Sequence, residues 1–192
     1  MIRHGLLAGV VALALLAACA TTSGAPPSVA APPALQAGAA HVEPVGDPEY
    51  IKIPRLHIED DIIPVGLAAD GTMEVPAVEH SGWYDLGPRP GAPGGAVVVG
   101  HVNYSGVQGA LGRIGELTNG DQVSVTDTAG VVRTFTVYDV EHIPKSQYAA
   151  RTVPLVFGAR TTTDLVIVTC GGQIVGHSYL DNVVVSARLV QM

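Results

Sequence analysis

Seven short runs of β-branched or alternating residues, divided by turn-forming breaks, limit what this chain can fold into. Tyr50-Ile51-Lys52-Ile53, Gln122-Val123-Ser124-Val125-Thr126 and Arg133-Thr134-Phe135-Thr136-Val137-Tyr138 alternate, as strands with one buried face do. Asp61-Ile62-Ile63-Pro64-Val65 is short and rich in β-formers. Ala96-Val97-Val98-Val99 and Leu165-Val166-Ile167-Val168-Thr169 are continuous apolar runs, which predicts strands buried on both faces. Asn182 to Leu189 supplies a last strand. Asp70-Gly71, Asn119-Gly120-Asp121 and Ala129-Gly130 read as turns. Helical periodicity is confined to Val107–Leu117, where Ala110, Leu111, Ile114 and Leu117 suit a short helical turn. Glu59, Asp60 and Asp61 read as a solvated turn, and Trp83 and Tyr84 as core or rim packing. Seven or eight strands within residues 44–192, with few helices, predict an all-β domain closed as a barrel or packed as a sandwich.

The first 43 residues obey different rules. Arg3 and His4 precede an uncharged, small and apolar run from Gly5 to Ala20. That run is short for a membrane span and suits the apolar part of an export signal. Leu16-Ala17-Ala18-Cys19 resembles the lipobox of bacterial lipoproteins, in which the cysteine is lipidated; the competing reading is an uncleaved anchor helix. Either way, residues 1–20 predict a signal, lipoprotein or anchor segment, and a domain held outside the cytoplasm against a membrane. Residues 21–43 are Ala, Pro, Ser, Thr and Gly with almost no large apolar side chain, which predicts a disordered, proline-stiffened linker.

The net charge of −7, with only ten Lys and Arg, offers no basic stripe for nucleic acid. The histidines outside the candidate site (His4, His41, His57, His80 and His142) lack metal-ligand spacing, so neither a metal nor another cofactor is expected. Of the two cysteines, Cys19 lies in the targeting segment, which leaves Cys170 as a lone thiol in an exported protein. Such a thiol is reactive, paired with a cysteine of another chain, or a small buried hydrophobe.

Two strand ends concentrate the chemistry. Val97-Val98-Val99-Gly100-His101-Val102-Asn103 carries a histidine off a buried strand, where a rigid sheet holds it as an acid or base. Leu165-Val166-Ile167-Val168-Thr169-Cys170-Gly171-Gly172 ends a second buried strand in a thiol, with two glycines that permit unusual backbone angles and substrate approach. Tyr179-Leu180-Asp181-Asn182 leads into the last strand.

In that order, VVVGHVN, LVIVTCGG and YLDNVVV resemble the marks of a sortase. Ile51-Lys52-Ile53-Pro54, Asp70-Gly71-Thr72-Met73-Glu74-Val75-Pro76, Gly82-Trp83-Tyr84, Asn119-Gly120-Asp121 and Ile143-Pro144-Lys145 extend the likeness over about residues 49–190, toward the class E/F group of high-GC Gram-positive bacteria. The resemblance implies a closed sortase-type β-barrel with short helical turns, and acyl transfer through a thioester. It implies Cys170 as nucleophile and His101 as its acid and base. The implied partners are a C-terminal sorting signal, cleaved at a Thr-Gly bond of LPxTG type, and an amine acceptor of the cell wall or of another protein.

One departure stands out. The family places an arginine roughly ten residues after the cysteine, to hold the substrate carbonyl and its oxyanion; no arginine lies between Cys170 and Asn182. Arg188 is too far along the last strand, and the loop from Gly171 to Ser178 reads as short. Three readings remain: His177 is the substitute donor, an arginine such as Arg151 or Arg113 reaches in, or the activity is reduced. Two further functions compete. One is an L,D-transpeptidase, whose His-Gly motif before the cysteine is absent here. The other is a non-catalytic binding module that keeps the barrel and its groove.

Overall fold

The computed structural model describes residues 44–190. The expectations for residues 1–43, the targeting segment and the linker, lie outside the described residues. Among the described residues, no helix is long and apolar enough to cross a membrane.

Eight strands close a barrel. They are β1 (Pro48–Ile53), β2 (Ile58–Val65), β3 (Ser81–Tyr84), β4 (Gly94–Val99), β7 (Gln122–Asp127), β8 (Val132–Pro144), β9 (Thr163–Val175) and β10 (Ser178–Leu189), in the order β1-β2-β3-β4-β9-β10-β8-β7. A small separate hairpin, β5 (Asn103–Tyr104) and β6 (Val107–Gln108), rises between β4 and β7 in the chain. The β2–β3 and β4–β9 pairs are parallel, and the other pairs of the barrel are antiparallel.

The continuous apolar runs are buried on both faces, as their composition predicts. Ala96 and Val98 of β4, Leu165 and Ile167 of β9, and Val183 and Val185 of β10 point into the barrel, where they meet Ile51, Phe135 and Trp83. Val97 and Val99, Val166 and Val184 point outward into a second apolar cluster with Ile143 and Val156. Each fully buried Val or Ile of this kind contributes about 1.5–3 kcal/mol. The outer cluster is roofed by a segment that the sequence did not reveal: 3-10 turn Lys145–Gln147, π turn Tyr148–Thr152 and α1 (Val153–Phe157). Leu111, Ile114 and Leu117 plug the barrel; the short helical turn expected here is a 3-10 turn, Ile114–Glu116, which carries Ile114.

Two expectations need correction. Glu59, Asp60 and Asp61 form part of strand β2, paired with β1, and not a turn; Glu59 and Asp61 are solvated as expected, while Asp60 accepts a hydrogen bond from Ser81 Oγ at 2.6 Å. Residues 171–178 form no short loop. β9 runs on past Cys170 to Val175, turns at Gly176-His177, and returns as β10.

A buried carboxylate fastens the far end of β9 and β10. Asp164, 1% exposed, accepts hydrogen bonds from Tyr138, Arg160, Thr162 and Arg188 at 3.0–3.2 Å. Burial alone would push the Asp164 carboxyl up, but the bonds from Arg188, Thr162 and Tyr138 and the Arg188 charge outweigh it and hold it below the ordinary range. Its stabilising effect is therefore complete above the unfolded aspartate value of about 3.9, and is lost as pH falls from there through the folded value. Asp164→Asn should lower stability at pH 7 by about 3 kcal/mol, because it strands a mostly buried Arg160. It should also flatten the acid limb of the stability curve below about pH 4. Urea midpoints measured across pH check both effects, and a variant with the parent midpoint at pH 7 would refute the assignment.

Candidate active site

Parallel pairing of β4 with β9 brings the two chemical residues together. Val98 lies opposite Ile167 and Val99 opposite Val168. The pairing continues one step further: Gly100 N–H donates to Val168 O at 3.3 Å, and buried Thr169 Oγ donates to Gly100 O at 2.8 Å. The next residues are His101 and Cys170, half-buried on the wall of one cleft of about 580 Å³. Thr169 thus ties the histidine strand to the cysteine strand immediately before both candidate side chains.

The His101 backbone is clamped. Its carbonyl accepts from Leu111 N–H at 3.3 Å, and Gly109 N–H donates to Val102 O at 2.8 Å. A Cβ on Gly109 would stand 2.1 Å from His101 O, so only glycine permits this approach. The β5–β6 hairpin turns at Ser105-Gly106, with φ of 50° and 81°, the positive pair of a primed two-residue turn. It lays Tyr104 beside His101, ring centroids 5.6 Å apart. Asn103 Nδ2 reaches across to Tyr179 Oη on β10 at 2.7 Å, joining this hairpin to the β9–β10 hairpin.

Cys170 sits within β9, paired with Asn182, and not at a strand end. The glycines after it serve packing more than substrate approach. A Cβ on Gly171 would lie 2.4 Å from Val183 Cγ2, and one on Gly172, at φ 75°, would lie 2.2 Å from Asp181 Oδ2. The register slips here: Tyr179 faces Ile174, but Asp181 faces Gly171. β9 therefore bulges beside the thiol, a device that re-aims neighbouring side chains.

The cation at the thiol is Lys145, whose Nζ donates to Cys170 Sγ at 3.5 Å. Three strands align to bring it there, since Ile143 of β8 faces Asn182 of β10, which faces Cys170 of β9. Lys145 is two residues past Ile143, at the start of the 3-10 turn. Buried Asn182 Nδ2 also donates to Thr152 Oγ at 3.4 Å, so the segment that follows Lys145 is docked beside the site.

The other candidates for the missing arginine fall in different places. His177 lines the mouth of the cleft that Cys170 and His101 share, at the tip of the β9–β10 hairpin. Arg113 lines a second cleft of about 320 Å³ that also reaches Cys170, but its guanidinium is bound twice to Glu116, at 2.9 and 2.7 Å. The hydrogen bonds from Arg113 hold the exposed Glu116 carboxyl below its ordinary range, so this pair stays charged and mutually engaged. Arg151 is engaged by Glu141, and Arg188 by Asp164 at the far end of the sheet. The signal for Lys145 was present in the sequence as Ile143-Pro144-Lys145, but its nearness to the thiol depends on strand order.

A profile of the sortase domain family matches residues 51–190. Solved structures similar to this fold include sortase C-1 from Actinomyces oris, with TM-score 0.58, 20% identity, and 76% of each chain covered. Sortase A from Corynebacterium diphtheriae gives TM-score 0.59 and 16% identity over 78% of this chain and 63% of that one. A sortase D5 transpeptidase from Clostridium perfringens gives 0.56 and 17% over 76% and 79%. No curated protein matches the sequence.

Proposed function

The chain belongs to the sortase family of cysteine transpeptidases, and from that premise we propose that Cys170 is its nucleophile and His101 its proton-transfer partner. What carries this reading is their shared cleft, at the ends of one parallel register fastened by Thr169. The Cys170 thiolate attacks the scissile carbonyl carbon, the C–S bond forms, and the carbonyl π pair moves to oxygen. The oxyanion collapses, the C–N bond breaks, and His101 as imidazolium gives its proton to the departing amine. An acceptor amine then adds to the thioester carbonyl. His101, now neutral, takes the amine proton, and collapse expels the Cys170 thiolate.

The substrate in this reading is a C-terminal sorting signal of LPxTG type cut between Thr and Gly, and the acceptor is an amine of the cell wall or of another envelope protein. His177 lines the same cleft and is one candidate for contact with the bound peptide. The motifs Asp70-Gly71-Thr72-Met73-Glu74-Val75-Pro76 and Gly82-Trp83-Tyr84 support placement in the class E/F group. The composition of residues 1–43 supports an enzyme held outside the cytoplasm, by lipidated Cys19 or by an N-terminal anchor.

The test is to incubate the full-length protein with a panel of Leu-Pro-x-Thr-Gly-like peptides, with and without an amine acceptor, and to read the products by mass spectrometry. Cleavage between Thr and Gly, with transfer to the amine, is expected. A folded protein that cleaves no peptide, yet binds one, would replace this reading with a non-catalytic groove.

A further inference from the structure

We infer that Lys145 is a catalytic residue of this site: its ammonium, beside Cys170 Sγ, pairs with the attacking sulfur anion and then follows the negative charge to the carbonyl oxygen as the C–S bond forms. The inference rests on the assignment of Cys170 as nucleophile. It starts from an inventory of cations. Among the described residues, Lys52 and all seven arginines (Arg55, Arg89, Arg113, Arg133, Arg151, Arg160 and Arg188) each have a carboxylate within ion-pair distance. Lys145 has none within that reach, and its side-chain hydrogen bond is to Cys170 Sγ, at 3.5 Å. Among the described residues, the one lysine or arginine free of a carboxylate is therefore the one at the thiol, inside the cleft that also holds His101.

Its position is built by the fold. Ile143, Asn182 and Cys170 stand in line across β8, β10 and β9. Two strand spacings, roughly 10 Å, separate the β8 backbone from β9. The chain leaves β8 at Pro144 and enters a 3-10 turn, which starts the four-carbon stem of Lys145 on its way across that gap. The Asn182–Thr152 bond docks the rest of the segment, so Lys145 hangs from a fixed ledge and not from a free loop.

The chemistry asks for a mobile cation here. In the attacking form of the enzyme the negative charge is on sulfur, and the Lys145 ammonium 3.5 Å away is placed to pair with it. In the tetrahedral intermediate that charge has moved to an oxygen two bonds away. Lysine carries three rotatable donors on a flexible stem, so it can serve both positions in turn. The stabilisation gained at oxygen counts toward rate, because it exists only once the bond has begun to form.

The experiment uses the full-length protein with Lys145→Met, which keeps the stem and removes the charge, Lys145→Arg, which restores a charge, and His177→Ala. The lysine is exposed, so the melting temperature should stay at the parent value in both of its variants. Two rates are read. One is alkylation of Cys170 by iodoacetamide at pH 7, followed on the tryptic peptide that contains Cys170. The other is turnover of the best peptide from the panel. Lys145→Met should slow alkylation by roughly fivefold, from the Coulomb attraction of an exposed pair at this distance. It should slow turnover by about 10²-fold, as losing one oxyanion donor does. Lys145→Arg should recover most of both.

Alkylation of Lys145→Met at the parent rate would overturn the inference. So would an arginine variant as poor as the methionine one, or a turnover loss confined to His177→Ala. Alkylation does not depend on knowing the substrate. If the parent protein turned over no peptide while alkylation still followed the charge at position 145, the substrate reading would fall and the role of Lys145 at the thiol would stand.

Discussion

Cys170→Ala should eliminate peptide cleavage and amine transfer together, a loss on the order of 10⁴-fold or more, with the barrel intact. The size follows from the chemistry. Without a sulfur there is no thioester, and the two steps of acyl exchange revert to one direct attack that the site is not built to promote. The fold should tolerate the change. Cys170 is half-buried at a cleft wall, paired through its backbone to Asn182, and belongs to neither hydrophobic cluster. Trp83 is buried in the barrel, so near-UV circular dichroism reports directly on packing. The measurement is initial rate by mass spectrometry for parent and variant, beside that spectrum. Residual cleavage within tenfold of the parent, at the same bond, would place the nucleophile elsewhere.

His101→Ala should be the second largest loss, on the order of 10²- to 10⁴-fold, the usual contribution of a positioned proton donor and acceptor. Its pattern should differ from that of the cysteine variant. The leaving amine must gain a proton and the entering amine must lose one, so both half-reactions suffer, yet the thiol itself remains. Cys170 in His101→Ala should still be alkylated, because Lys145 stays beside the sulfur. Small exogenous imidazole should restore part of the rate, since deleting the ring leaves room on the cleft wall beside Tyr104. Turnover with and without added imidazole decides the matter. A variant as active as the parent would remove His101 from proton transfer.

The legible part of this fold was the part whose composition admits one solution. Ala96-Val97-Val98-Val99 and Leu165-Val166-Ile167-Val168 carry apolar side chains on both faces, so each had to be covered twice; the barrel interior and the outer cluster supply those covers. The shared cleft of His101 and Cys170 follows from the same runs, since each residue lies two positions past one of them in a paired register. The stretch after the cysteine was not legible. Gly171-Gly172 looks like the start of a loop, whereas the glycines make room for Val183 and Asp181 of the neighbouring strand. Ser81–Tyr84 escaped notice as a strand because it is four residues long and contains a glycine. The 145–157 segment changes between 3-10, π and α turns and passes Pro154, so no helical period could form. Lys145 illustrates the general limit. Its neighbour in the site is 25 positions away, and only the order β8-β10-β9 makes them meet.

The most direct test of the central claim, acyl transfer through a thioester on Cys170, is interception of that intermediate. The full-length protein would be given a cleavable peptide together with hydroxylamine, and the N-terminal product would be weighed. The mechanism predicts a hydroxamate at the threonine carbonyl, formed at the expense of the free acid and absent with Cys170→Ala, and a Cys170-containing tryptic peptide that carries the acyl group when the reaction is quenched in acid without hydroxylamine. Release of the free acid alone, with no hydroxamate and no adduct on Cys170, would contradict it and point to direct hydrolysis by water.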